Sequence, residues 1–237
     1  METTLSTPLE EPPGFLSLVS MVGDDERYTI QQLKNAERPA PELYGQARDL
    51  FVKILDGNFS FEFALSQARA IVDTVERRCA EEVLCASKHF LISQTPAPVR
   101  RLPRMWFDLP NGLKIPVSGV RLRQFDEPRL MALYFWKRPL SRWQLSAAAA
   151  ILQTCLDRFQ RHLSFAGIEF ISVAEEGNLH RHLRSYSWEA LQPLAKDALE
   201  HFLERFCKAW RTYKRLPPRE IRLREGSQLR LKLRPPD

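Results

Sequence analysis

Glycine is scarce, 9 residues in 237, and no cluster of them stands where backbone amides would cradle a nucleotide phosphate. The patterns GxGxxG, GxxxxGK[ST], GxSxG and HExxH are all missing, which weighs against a nucleotide-driven motor or a dinucleotide oxidoreductase. Cysteine is equally sparing: Cys79, Cys85, Cys155 and Cys207 are widely spaced and form no CxxC pair, so no zinc ribbon or thioredoxin-type site is written here. Reduced, buried thiols in a cytoplasmic protein are the expectation. The longest unbroken apolar run, Leu130–Trp136, falls far short of the roughly 18–20 residues that cross a bilayer, so no membrane partner is expected. Internal repeats and low-complexity tracts are absent too.

What is present is ordinary globular material, 44% apolar and 27% charged. The net charge of +6 hides an asymmetry: residues 1–98 sum to −6 and residues 99–237 to +12. Such a division fits a polyanion-binding region, or two faces that attract each other or a partner. Arginine supplies 26 of the 35 cations. Its planar fork suits phosphate and carboxylate, although genomic base composition also produces arginine bias.

Along the chain, residues 1–40 read as a mobile acidic, proline-bearing arm with one apolar patch, Phe15–Val22. A short helix is expected from Ile30, on the capping-box spacing of Thr29 and Gln32. Residues 41–94 read as a helical subdomain. One helix covers 42–56, stopped at Gly57, and a long antiparallel partner starts at Ser60 with Ala64, Ala68, Ile71, Val72, Val75, Cys79, Val83 and Ala86 as its stripe. Residues 95–104 form a Pro- and Arg-rich linker, beyond which the period changes from 3.6 to 2.

Residues 105–237 read as a basic α+β domain. Met105–Leu109 and Leu113–Val117 make a hairpin around Asn111-Gly112. Gly119–Phe125 alternates Val120, Leu122 and Phe125 with Arg121 and Arg123, and Leu130–Trp136 suits a strand buried on both faces. Ser141 with Gln144 caps a helix to Leu163, Ile168–Val173 is a strand, and a polar link leads to a helix capped by Ser187. Glu220–Glu225 and Gln228–Arg234 read as a terminal hairpin. The fold class is therefore α+β, an N-terminal helical hairpin followed by a mixed or antiparallel sheet with two packed helices. In element order alone it is similar to a ribonuclease-H-like core, with three strands, a helix, a fourth strand, a helix and a fifth strand.

The terminal hairpin puts Ile221, Leu223, Leu229, Leu231 and Leu233 on one face and Arg222, Arg224, Arg230, Lys232 and Arg234 on the other. Like charges on adjacent strands repel unless solvent or an anion relieves them. The same pattern also suits a solvated edge hairpin kept from aggregating by its cations. Arg205, Lys208, Arg211, Lys214 and Arg215 extend the charge along the preceding helix. Arg100, Arg101 and Arg104 lie before Trp106, and Trp136, Trp143, Trp188 and Trp210 are candidate stacking surfaces.

The nucleic-acid-binding set expected is Arg205, Lys208, Arg211, Arg215, Arg222, Arg224, Arg230, Lys232 and Arg234. The expected function is a non-catalytic, cofactor-free protein that contacts nucleic-acid phosphates, DNA or RNA, through its basic half. A protein-interaction or assembly subunit, with protein partners or self-association, is the alternative. A metal-dependent nuclease is the third reading. It takes from the ribonuclease-H-like analogy a carboxylate on the first strand, Asp108, with Glu175 or Glu176 after the fourth, although the helix following Ser141 opens without an acid. His180 and His182 would share a face on a strand, but read as solvated loop histidines.

Overall fold

The computed structural model of the protein describes residues 3–5, 9–37, 43–125, 127–163, 167–176, 180–217 and 220–222. Its frame is a five-stranded mixed sheet built from β2 (Val99–Arg101), β5 (Val120–Arg123), β6 (Arg129–Tyr134), β7 (Gly167–Glu176) and β8 (His180–Ser187), adjacent in that order. β6 and β7 run parallel, with Leu130 opposite Ile168 and Leu133 opposite Ile171, and every other pair is antiparallel. Parallel neighbours need a crossover, supplied here by α6 (Arg142–Phe159). As its sequence requires, Ser141 and Gln144 close a reciprocal capping box at its start.

Alternation along β6 and β7 creates two cores, one on each face of the sheet. Leu130, Ala132, Ile168 and Phe170 face α6, α8 (Lys196–Lys214) and α1 (Phe15–Met21). Met131, Leu133, Phe135, Ile171 and Val173 face α3 (Gly45–Leu55), α4 (Phe61–Arg69) and α5 (Thr74–Ser93). A continuous apolar run is what a strand covered on both sides demands. The hairpin β3 (Met105–Asp108) and β4 (Lys114–Val117) closes around Asn111-Gly112 as expected, but as a separate ribbon packed beside α6. The class is α+β.

Several local readings change. Residues 15–36 are no loose arm: α1 buries Phe15, Leu18 and Val19, and α2 (Glu26–Ala36) buries Leu33. Asp25 caps α2, accepting from the Arg27 amide, while Thr29 lies inside the helix and its hydroxyl accepts from the Gly23 amide. The long helix after Ser60 is two helices. Asp73 accepts from the amides of Val75 and Glu76 and restarts the chain. Ile71 keeps the apolar period going through the break, whereas Val72 and Val75 leave the stripe for solvent. Gly57 ends α3 at a φ of +78°, with the Pro96 side chain 3.0 Å from where a Cβ would stand.

The segment read as a linker contains edge strand β2, and the helical segment shares its core with the sheet. β8 falls where a polar link was expected, and the helix expected from Ser187 is two: the short α7 (Trp188–Leu191) opens there, and α8 begins at Lys196 after Gln192 takes a positive φ and Pro193 follows. Because β7 and β8 join as an antiparallel hairpin, the ribonuclease-H-like element order stops at the fourth strand. The last described strand, β9 (Glu220–Arg222), pairs with β1 (Thr3–Leu5). The second half of the expected terminal hairpin, 228–234, lies outside the described residues.

Candidate nucleic-acid interface

The expected cations of α8 do form a row. The helix buries Leu199, Phe202, Phe206, Trp210 and Tyr213 at helical spacing, which leaves Lys208, Arg211 and Arg215 exposed at intervals of three and four. Placing cations near a helix C-terminus also complements its dipole. Acids of the N-terminal half meet the row from across the interface. Lys208 Nζ lies 2.9 Å from Glu26, and Arg205 lies 3.9 Å from Asp24 while donating to the Asp24 carbonyl at 3.2 Å. Hydrogen bonds from Lys208 and Thr212 hold the Glu26 carboxyl below its ordinary range.

Farther along, Lys214 donates to the Leu9 carbonyl at 3.0 Å, and the Tyr213 hydroxyl accepts from the Leu9 amide at 2.7 Å. Among the described residues no carboxylate pairs with Arg211 or Arg215. Arg222 lies on β9 opposite Thr3. Arg224, Arg230, Lys232 and Arg234 lie outside the described residues.

At its N-terminal side the row reaches an aromatic groove. Arg205 lies over the ring of Trp143, 5.4 Å from its centroid, and Trp143 packs edge-on against buried Phe202. Trp143, Tyr28 and Gln144 line a hollow of about 400 Å³ together with Asp24 and Asp25, the first of which faces Arg205. Tyr28 and Gln144 also border a larger cavity of about 680 Å³ between α1, α2 and the segment that leaves the carboxyl end of β6. Carboxyl ends of parallel strands are where open sheets place their ligands. Here Trp136 is 38% exposed and stacks on buried Tyr134 with ring centroids 6.1 Å apart. Burial raises the Tyr134 hydroxyl well above its usual range, so it stays neutral, hydrogen-bonded with Ser20.

The other expected stacking surfaces divide. Trp210 belongs to the core. Trp188 borders a separate hollow of about 650 Å³ in which Glu127, Glu169 and Glu189 face Arg129, a charge balance that repels a phosphate backbone. Trp106 is exposed on the outer face of β3 beneath Arg104. Arg121 and Arg123, which alternate with the apolar residues of β5, are covered by the α3–α5 layer: Arg121 pairs with Asp49, and Arg123 donates to Gln94 and to the Thr95 carbonyl.

The carboxylates of the nuclease reading are held by cations. Arg158 and Lys114 engage Asp108 on the ribbon, outside the five-stranded sheet, and the hydrogen bond from Arg158 keeps its carboxyl below the usual range. Glu175 meets Lys137 and Arg181, and Glu176 meets Arg184. His180 and His182 do share one side of β8, opposite Glu176 and Ala174. Among the described residues no group of three His, Cys, Asp or Glu side chains could hold a metal ion.

Sequence reasoning named Trp136 but missed Tyr28, Tyr134, Gln32 and Arg138 around it. The available signal was Trp136-Lys137-Arg138-Pro139, an aromatic and two cations between the end of an apolar run and a proline. No protein-family model matches the chain, and no curated protein matches it either.

Proposed function

We propose that the protein binds nucleic acid, contacting phosphates through the C-terminal half of α8 and the basic segment that follows it. One observation carries this reading: the cation row of α8 begins at Trp143, on the wall of an aromatic groove. Rows of cations beside stackable rings are the recurring means of holding single strands. Four free thiols support a reducing, cytoplasmic setting.

The test is fluorescence anisotropy with single-stranded and duplex oligonucleotides across a salt series. Wild type is expected to lose affinity steeply with salt, because released counterions drive phosphate binding. Arg211→Gln with Arg215→Gln is expected to lower the log-affinity against log-salt slope by about 1.4–1.8 in magnitude, about 0.7–0.9 for each lost contact. No binding at low salt, or an unchanged slope in the folded double variant, overturns the reading.

A protein partner is the second reading, and β8 favours it. This eight-residue strand ends the sheet with only β7 beside it among the described residues, and open edges accept a further strand. Light scattering over a concentration series, at low and high salt, tests self-association through that edge.

A further inference from the structure

The cavity at the carboxyl end of β6 has the size and lining of a ligand site. Its volume of about 680 Å³ falls within the roughly 300–1,000 Å³ of small-molecule pockets. Three features of the wall define the chemistry it would take. Trp136, stacked on Tyr134, offers an exposed ring face. Gln32 and Asn35, one turn apart on α2, bring side-chain amides to the same cavity. Asn35 accepts from Gln31 at 3.0 Å through its oxygen, which leaves its amide hydrogens to donate elsewhere. At the mouth stand Lys137 and Arg138, while Glu11 is the one acid among the described residues of the lining. Lys137 is drawn to Glu175 at 3.6 Å, and Arg138 meets no carboxylate among the described residues.

A flat aromatic face, two edge-reading amides and an unneutralised guanidinium match a planar heterocycle carrying an anionic tail. We propose that this cavity receives one unstacked base of a single-stranded nucleic acid, the ring on Trp136, its hydrogen-bonding edge toward Gln32 and Asn35, and its phosphate at Arg138. The proposal rests on the nucleic-acid reading above and adds to it a preference for bases over bare backbone. Stacking serves any base, whereas the amides discriminate among hydrogen-bonding edges. The carbonyl of Trp136 is itself fixed, accepting from Arg181 at 3.3 Å, so the ring face stands on a held segment.

The experiment compares full-length wild type, Trp136→Ala, Trp136→Phe and Gln32→Ala. Each is titrated with a single-stranded 12-mer, with the same strand made abasic throughout, and with the duplex. Trp136→Ala is expected to weaken the base-bearing single strand by about 5- to 150-fold, the range that loss of one stacking ring produces. Binding of the abasic strand and the salt slope should not move. Trp136→Phe should recover most of the loss, and Gln32→Ala should change the order of preference among homopolymers. Partial exposure of Trp136 and of Gln32 makes all three substitutions compatible with folding, checked by melting each variant. If Trp136→Ala leaves single-strand affinity unchanged while Arg211→Gln with Arg215→Gln weakens it, the cavity proposal falls and the phosphate reading stands. If wild type binds the abasic and base-bearing strands equally, the cavity proposal falls as well. Failure of wild type to bind any strand at low salt removes both.

Discussion

Arg181 is the residue whose loss the fold should feel most sharply for a single charged side chain. It stands on edge strand β8, yet its side chain is only 4% exposed. Its guanidinium donates to Glu82 at 3.1 Å, to the Tyr44 hydroxyl at 2.7 Å, and to the Val173 and Trp136 carbonyls at 3.2 and 3.3 Å. One fork thereby joins α5, the residue before α3, β7 and the segment after β6. In Arg181→Ala the exposed Glu82 is resolvated and Glu175, 4.0 Å away, keeps Lys137, so the loss comes mainly from the three neutral acceptors. At roughly 1–1.3 kcal/mol each the total is about 3–4 kcal/mol, in line with removing one partner of a buried ionic cluster. For a chain of this size each kcal/mol moves the midpoint by about 2–4 °C, giving a fall of about 6–16 °C. Thermal and urea unfolding of wild type, Arg181→Ala and Arg181→Lys measure it. Lysine should restore less than half, because a compact ammonium cannot span Tyr44 and both carbonyls. A loss below about 1 kcal/mol in the alanine variant would refute the assignment of Arg181 as the tie between the helical layer and the sheet.

Three further predictions concern charge, pH and thiols. Asp24→Asn with Glu26→Gln should raise nucleic-acid affinity and steepen its salt dependence, because Arg205 and Lys208 lose their carboxylates; weaker or unchanged binding in anisotropy would contradict this. Glu26 adds a pH sign: its folded carboxyl titrates below the ordinary glutamate range, so its stabilising pairing is present above that range and is lost as pH falls through the lowered folded value. The same weakening of the α2–α8 contact should therefore appear in acid, and vanish in Glu26→Gln. Of the four thiols, exposed Cys85 should react alone with a disulfide reagent near pH 8, as burial pushes Cys155 up to about 12 and Cys207 up to about 11. Rapid release of more than one equivalent from native protein would argue against these burials.

The α+β class was legible because period and punctuation agree in the long elements. Ser60 and Ser141 stand where helix caps are needed, Gly57 where φ turns positive, and Leu130–Trp136 is apolar because both faces of β6 are covered. Other elements were hidden for physical reasons. β8 spells His-Arg-His-Leu-Arg-Ser-Tyr-Ser, polar at most positions, since an edge strand packs little and is fixed by eight partners on β7 rather than by its own hydrophobicity. The break at residues 70–73 is masked by Ile71, which fills the same core as Ala68 and preserves the period across a turn. Residues 15–36 looked like an arm because prolines and acids surround them, and α1 becomes helical by burying one face in tertiary contact. The groove was harder still: Tyr28 stands more than a hundred residues before Trp136 and Trp143, and α2 brings it beside each of them only in the folded chain.

The charge asymmetry between the two halves of the chain is partly resolved within the molecule, and this decides how much remains for a ligand. Asp24 and Glu26 meet Arg205 and Lys208 across the α2–α8 contact, but these pairs are solvent-exposed, with Asp24 fully so and Lys208 70% exposed. Exposed pairs contribute little to stability and weaken with salt. A phosphate backbone, which sheds several counterions on binding, competes with such partners more effectively than a buried carboxylate would. The contrast is Arg181, held among acceptors it cannot leave without loss of structure. Cations of this chain therefore divide by burial rather than by position in sequence. Those under the α3–α5 layer, Arg121, Arg123 and Arg181, are structural, whereas those along the solvent face of α8 are exchangeable and, with exposed Arg138, are the ones open to the proposed polyanion.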